Sequence, residues 1–269
     1  ADPPLPAGAA PCEDAGGGPP CLRFASVEDA FRWVLAFDPT VLAIGEAHAQ
    51  KGTEALASST KRFTDKLLPI VSPRASDLVV ELWAPDPRCQ KEVKAVASAQ
   101  KPVTSAQAAP TQNEYVTLGT RAKERGVTPW LLRPTCDDFS ALADAGADAV
   151  PAMLSLVKRL TAEKVRQLHD RQARAEAPKV VLAYGGAMHN DLAPADDMKD
   201  YSFGPELMQA SGGRYVELDL IVPEFVKDSP SWERLPWVAA FRAGGGPNER
   251  ATLYRTGSRS FVLLFPRSR

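Results

Sequence analysis

The feature that most constrains this chain is a set of short, almost unbroken apolar runs, each followed by a stretch with helical periodicity. VLAIGE, LVVELW, KVVLAYGG and RYVELDLIV are too uniformly apolar to have one face in water. Strands of this kind belong to a mostly parallel sheet covered on both sides, whereas a half-exposed antiparallel strand alternates apolar and polar residues. Alternation of such strands with helices predicts an α/β fold. The expected strands are 40–46, 77–83, 128–134, 179–186 and 214–222. The last segment, 251–265, reads as a closing hairpin turned at Gly257-Ser258, which gives the parallel sheet an antiparallel edge.

The expected helices lie between these runs. Ser26 caps SVEDAFRWVLAF, with Glu28 and Asp29 in its first turn and Phe31, Val34 and Leu35 on its apolar face. A second helix covers 52–71 and a third covers NEYVTLGTRAKERG, where Gly126 suits the C-terminal cap. A long helical region from Asp138 is broken ahead of Pro151. The segment 85–110 is a loop-rich insert with a helical portion, and the run Gly244–Gly246 reads as a turn.

A chain of 269 residues with 44% hydrophobic and 24% charged residues is an ordinary globular composition, long enough to bury a large core. A net charge of -1, with Lys and Arg scattered, excludes a partner that is recognised by phosphate tracking, so no nucleic acid is expected. No apolar run reaches the ~20 residues of a membrane span. The opening ADPPLPAGAAP reads as a flexible leader over residues 1–24, ahead of a single α/β domain over 25–269. Such a leader suits the tether of an exported protein: periplasmic, cell-surface or secreted, with contact to membrane only through a lipid anchor.

Cysteine usage points the same way. Of the four cysteines, Cys12 and Cys21 bracket a loop with no other means of holding itself, and a disulfide is expected there rather than free thiols. Cys89 and Cys136 follow two strands on the same sheet edge, and a second disulfide is expected in preference to metal ligation.

In parallel sheets ligands bind beyond the carboxyl ends of the strands. Gly45-Glu46-Ala47-His48 ends the first strand, Glu81 ends the second, Thr135, Cys136, Asp137 and Asp138 follow the third, and Gly185-Gly186-Ala187-Met188-His189-Asn190-Asp191 ends the fourth. The chain has only three histidines, and two of them stand at these ends. Glu46, His48, Glu81 and His189 are therefore the candidate catalytic residues, with Gly45 and Gly186 allowing close approach to a ligand or cofactor. Two imidazoles with one or two carboxylates suit a divalent ion (manganese, cobalt or zinc) held by His48, His189, Glu81 and Glu46. The same residues also suit a metal-free arrangement, in which His48 is a general base oriented by Glu46 or Glu81. Asp137 and Asp138 read equally well as helix-capping residues, and His169, in LHDRQARAE, reads as solvated. GxSxG, GxGxxG and the phosphate-binding GxxxxGK[ST] motif are absent.

Two GxxH motifs at strand ends, Gly45–His48 and Gly186–His189, with Glu81 in VVELW between them, resemble the Tiki/TraB and ChaN-like superfamily, which also takes in the erythromycin esterases. The likeness in order runs from about residue 26 to 265. It implies an α/β fold with a mixed central sheet and a pocket at the motif edge, and Glu46, His48, Glu81 and His189 as its functional residues. Members differ in activity: metal-dependent peptidases, macrolactone hydrolases, and haem-binding lipoproteins of iron uptake. Ala49-Gln50 stands where the haem-binding branch has Asp-Asn, and no Tyr adjoins the first motif, which counts against haem. The expected function is thus an exported metal-dependent hydrolase acting on a peptide or ester bond of a small-molecule or peptide substrate. The alternative is a haem- or metal-binding lipoprotein without turnover.

Overall fold

The computed structural model describes residues 2–13, 17–94, 96–97, 105–244 and 249–268. Gly245 and Gly246 of the expected GGG turn lie outside them.

The strands are β1 (Ala10–Pro11), β2 (Cys21–Phe24), β3 (Val41–Glu46), β4 (Ala75–Trp83), β5 (Thr128–Leu132), β6 (Val180–Gly186), β7 (Tyr215–Ile221), β8 (Ala251–Gly257) and β9 (Ser260–Leu264). They form one mixed nine-stranded sheet in the order β1-β2-β8-β9-β7-β3-β6-β4-β5. From β9 to β5 every neighbouring pair is parallel, and β1, β2 and β8 add the antiparallel side. The α/β reading is therefore met. β3 and β6, which carry the two GxxH motifs, are neighbours in the middle of the sheet, with Gly45 opposite Gly185 and Glu46 opposite Gly186.

Each face of the sheet buries its own core. Leu42, Ile44, Leu78, Val80, Leu182, Leu218 and Leu220 point to one side, against Phe31, Phe63, Leu67 and Leu118 from the helices Val27–Leu35, Ser59–Arg62 with its continuation to Val71, and Thr111–Glu124. Val41, Ala43, Val79, Val181 and Ala183 point to the other side, against Val157, Val165 and Leu168 of the helix Ala149–Ala173 and Leu207 of the helix Gly204–Ala210. Residues one apart in a strand thus feed opposite cores, which explains why both alternating positions had to be apolar. Each fully buried Leu or Phe contributes about 1.5–3 kcal/mol relative to exposure.

Local signals fix the helix ends. Ser26 accepts from the Asp29 N–H at 3.1 Å. The second helix is shorter than the expected 52–71: Ser58 caps it, a π-turn at Phe63–Leu67 interrupts it, and Leu68–Val71 ends it. Thr135 and Asp138 form a reciprocal capping box on the helix Cys136–Asp144, so Asp138 is a capping residue. The long helix starts at Ala149, after a break that falls ahead of Pro151 as expected. His169 departs from the solvated expectation. Its side chain is only 14% exposed, because the ring packs toward the sheet with Nε2 3.1 Å from Thr40 Oγ1.

The first 24 residues also depart from expectation. Described parts of this segment join the sheet: β2 pairs with β8, β1 pairs with β2, and Trp33 Nε1 donates to the Pro3 carbonyl at 3.1 Å. The sheet edge left by β8 has backbone groups to satisfy, and this segment satisfies them.

Both expected disulfides are present, Cys12–Cys21 and Cys89–Cys136, and no described cysteine is free. Paired cysteines of this kind belong to chains that fold in an oxidising environment. No single helix among the described residues is long and apolar enough to cross a membrane. Cys89–Cys136 spans 47 residues and ties the insert after β4 to the start of the Cys136–Asp144 helix. Cross-linking a loop of that length stabilises a domain by about 2–4 kcal/mol. Replacing both cysteines by Ala is expected to lower the chemical-denaturation stability by that amount; an unchanged midpoint would show that the insert is held by packing alone.

Candidate active site

The site grows from one buried carboxylate. Glu46 is the last residue of β3, 3% exposed, and both its oxygens are occupied. Oε1 lies 2.8 Å from His48 Nδ1 and accepts the Tyr115 hydroxyl at 2.9 Å. Oε2 accepts Thr60 Oγ1 at 2.8 Å and the Tyr184 hydroxyl at 3.1 Å. A carboxylate removed from water needs such donors, since an unpartnered buried charge costs several kcal/mol. The donors come from separate elements: His48 from the loop after β3, Thr60 and Tyr115 from two helices, Tyr184 from the neighbouring strand β6. Tyr115 also stands 3.3 Å from His48 Nδ1.

This arrangement sets the tautomer of His48. A carboxylate only accepts, so Nδ1 carries the proton and Nε2 holds the lone pair when the ring is neutral. His48 lines a pocket with a cavity volume of about 300 Å³, together with Glu81 and Tyr115. Burial works against protonation of His48. The hydrogen bond to Glu46 and the charges of Glu46 and Glu81 outweigh it, so the pKa is raised above the usual 6.5.

Glu81 and His189 form the second half. Glu81 Oε2 accepts the Gly186 N–H at 2.6 Å, and Oε1 lies 3.7 Å from His189 Nε2. His189 is 3% exposed and donates from Nδ1 to the Tyr201 carbonyl at 2.7 Å, which leaves its Nε2 lone pair on the Glu81 side. A Cβ on Gly186 would lie 3.4 Å from His48 Nε2, 3.7 Å from Glu81 Oε2 and 3.8 Å from His189 Cδ2. Gly186 therefore floors the space shared by the two histidines and Glu81. The other glycines make room for the architecture. A Cβ on Gly45 would come within 2.7 Å of the Ala187 Cα, and one on Gly185 within 2.8 Å of Glu81 Cβ.

The structure thus brings Glu46, His48, Glu81 and His189 to one edge, as two linked pairs. It leaves others out: Asp138 pairs with Arg159 at 2.6 Å, and Cys136 is in a disulfide. The divalent-ion expectation asks the two histidines and a carboxylate to converge on one point. Glu46 is committed to four donors. Among the described residues no group of three His, Cys, Asp or Glu side chains is arranged to hold a metal ion.

Sequence reasoning missed Thr60, Tyr115 and Tyr184, which hold Glu46, because nothing local marks them. It also missed a buried acidic group on the opposite face. Asp219 on β7 accepts from Asn190 Nδ2 at 2.9 Å, and Glu217 accepts the Leu192 N–H at 2.8 Å. Burial, and secondarily the charge of Asp191, pushes Asp219 up to about 7. Burial, followed by the charges of Asp219 and Asp191, holds Glu217 well above its usual range. These groups anchor the loop that carries His189. The alternating Glu217 and Asp219 in YVELDLI were the available signal.

No family model and no curated protein matches the chain. Among solved structures, one described as the type III effector HopBA1 is similar at a TM-score of 0.43 and 11% identity, covering 95% of this chain and 99% of that chain. A likeness of that size carries nothing about the chemistry.

The His48 imidazole should titrate above 6.5 when followed by NMR. In Glu46→Gln the leading causes of the rise are removed while burial remains, so the pKa should fall. A value unchanged by the substitution would contradict the coupling between the two residues.

Proposed function

We propose that the protein is an exported hydrolase in which His48 is the general base for attack of water on a carbonyl group. The observation that carries this reading is the 2.8 Å contact between His48 Nδ1 and a Glu46 whose other lone pairs are already taken. Glu46 orients the ring and offsets the positive charge that forms on it, while Nε2 keeps its lone pair. This is the division of labour expected of a base and its orienting carboxylate.

The steps follow from these positions. Water in the pocket gives a proton to His48 Nε2 as its oxygen bonds to the carbonyl carbon. The tetrahedral intermediate then expels the alcohol or amine, which takes the proton back from Nε2. The net change is addition of one water across an ester or amide bond. Glu81 and His189 stand beside the same space. Glu81 lines the pocket and is the carboxylate available to hold the attacking water, while His189 stands behind it with Nε2 3.7 Å from Glu81 Oε1.

His48 must be neutral to act as a base, so the rate should rise with pH through a pKa above 6.5. On a panel of esters and peptides, His48→Ala is expected to lower kcat by about 10²–10⁴ with the fold intact. Glu46→Gln should lower kcat and move the acidic limb to lower pH. An active His48→Ala variant would remove this reading. Activity that requires added manganese, cobalt or zinc and disappears with chelator would replace it with the metal-dependent one. A Soret band on haem titration, lost in His189→Ala and without turnover, would replace it with haem binding.

A further inference from the structure

We propose that the substrate is a small ester whose acyl group is uncharged and apolar; this rests on the hydrolase reading for the bond that is cut, but not for what the pocket binds. The lining supplies the argument. Beyond His48 the walls are built from Leu82, Trp83, Val96, Phe139, Met153 and Val157. Among the described lining residues there is no Lys or Arg, and the acidic group is Glu81. A carboxylate or phosphate on the acyl chain would leave water for an apolar slot that holds Glu81 and, among its described lining residues, no Lys or Arg, which is unfavourable. An apolar chain gains from the same burial.

Size follows from the cavity. A volume of about 300 Å³ is at the small end for ligand pockets. That favours a small molecule over a peptide, which needs an extended cleft with backbone partners.

The pocket also offers neutral polar groups where a carbonyl could be held. Thr111 opens the helix Thr111–Glu124 and lines the pocket, and its hydroxyl is buried with no hydrogen-bond partner in the protein. Gln107 and Gln112 line the same wall. The two glutamine amides can donate to or accept from a ligand. The wall itself is braced. Cys89, bonded to Cys136, is fully buried in a cluster with Val96, Phe139 and Met153, and Phe139 packs edge-on against Trp83 at 5.8 Å. A braced wall gives the pocket a fixed length, hence a chain-length cutoff.

The test compares octanamide with octanoate at pH 8 by calorimetry on the wild-type protein. They share a chain and differ in charge. Octanamide is expected to bind and octanoate to bind at least tenfold more weakly. Glu81→Gln should narrow that gap, and Val157→Trp, which fills the slot, should abolish octanamide binding. Octanoate binding as tightly as octanamide, or no binding of octanamide at millimolar concentration, would overturn the proposal. Normal octanamide binding with no turnover of any octanoyl ester would instead overturn the hydrolase reading and leave the ligand class standing.

Discussion

The site depends on how the protein satisfies a carboxyl group where water is nearly absent. Glu46 ends a strand in the centre of the sheet, and its two oxygens are met by His48, Tyr115, Thr60 and Tyr184. Charge-assisted hydrogen bonds contribute about 1.5–3 kcal/mol each, and losing one leaves a buried acceptor exposed to its full desolvation cost. The four donors sit on different elements, so the carboxylate is held only when the sheet and two of its covering helices are in place. The chemistry of His48 is thereby tied to the integrity of the fold. Its tautomer, its orientation and its raised pKa all come from the same partner.

The sheet order explains why two sequence-distant motifs meet. β3 and β6 are neighbours and in register, so both GxxH segments leave the sheet side by side. Glycine is required where they leave. Gly45 lies against the backbone at Ala187, and Gly185 lies against the Glu81 side chain. A methyl group at either place would separate elements whose contact defines the site. On the other face, Glu217 and Asp219 secure the loop that bears His189, and their raised pKa values mean that folding favours their protonated forms. The stability this contributes is present at low pH and is lost as pH rises through about 7 for Asp219.

Much of this was legible in the sequence. VLAIG, LVV and VVLAYGG are apolar at both alternating positions because both faces are covered, and that pattern survives without knowing what covers them. Helix caps such as Ser26 and Thr135 are local chemistry and can be read locally. That His48 would have a carboxylate partner was legible from its place after a buried strand; that the partner is Glu46 rather than Glu81 was not. The supporting residues were not legible either. Thr60 and Tyr115 look like ordinary helix positions, and only the tertiary arrangement points their hydroxyls at Glu46. The amino-terminal segment misled for a related reason: its Pro and Gly content marks an absence of helix, but says nothing of whether an open sheet edge will take it up. His169 misled because a polar neighbourhood in sequence faces the sheet once the helix is docked.

The most direct measurement is the tautomer of His48, read from ¹⁵N chemical shifts of histidine-labelled protein above the pH at which the ring loses its charge. A proton on Nδ1, held toward Glu46, with an unprotonated Nε2, is the result required of a general base oriented by this carboxylate. A proton on Nε2, with Nδ1 bare, would contradict the account at its centre, since the atom meant to accept a proton from water would already carry one.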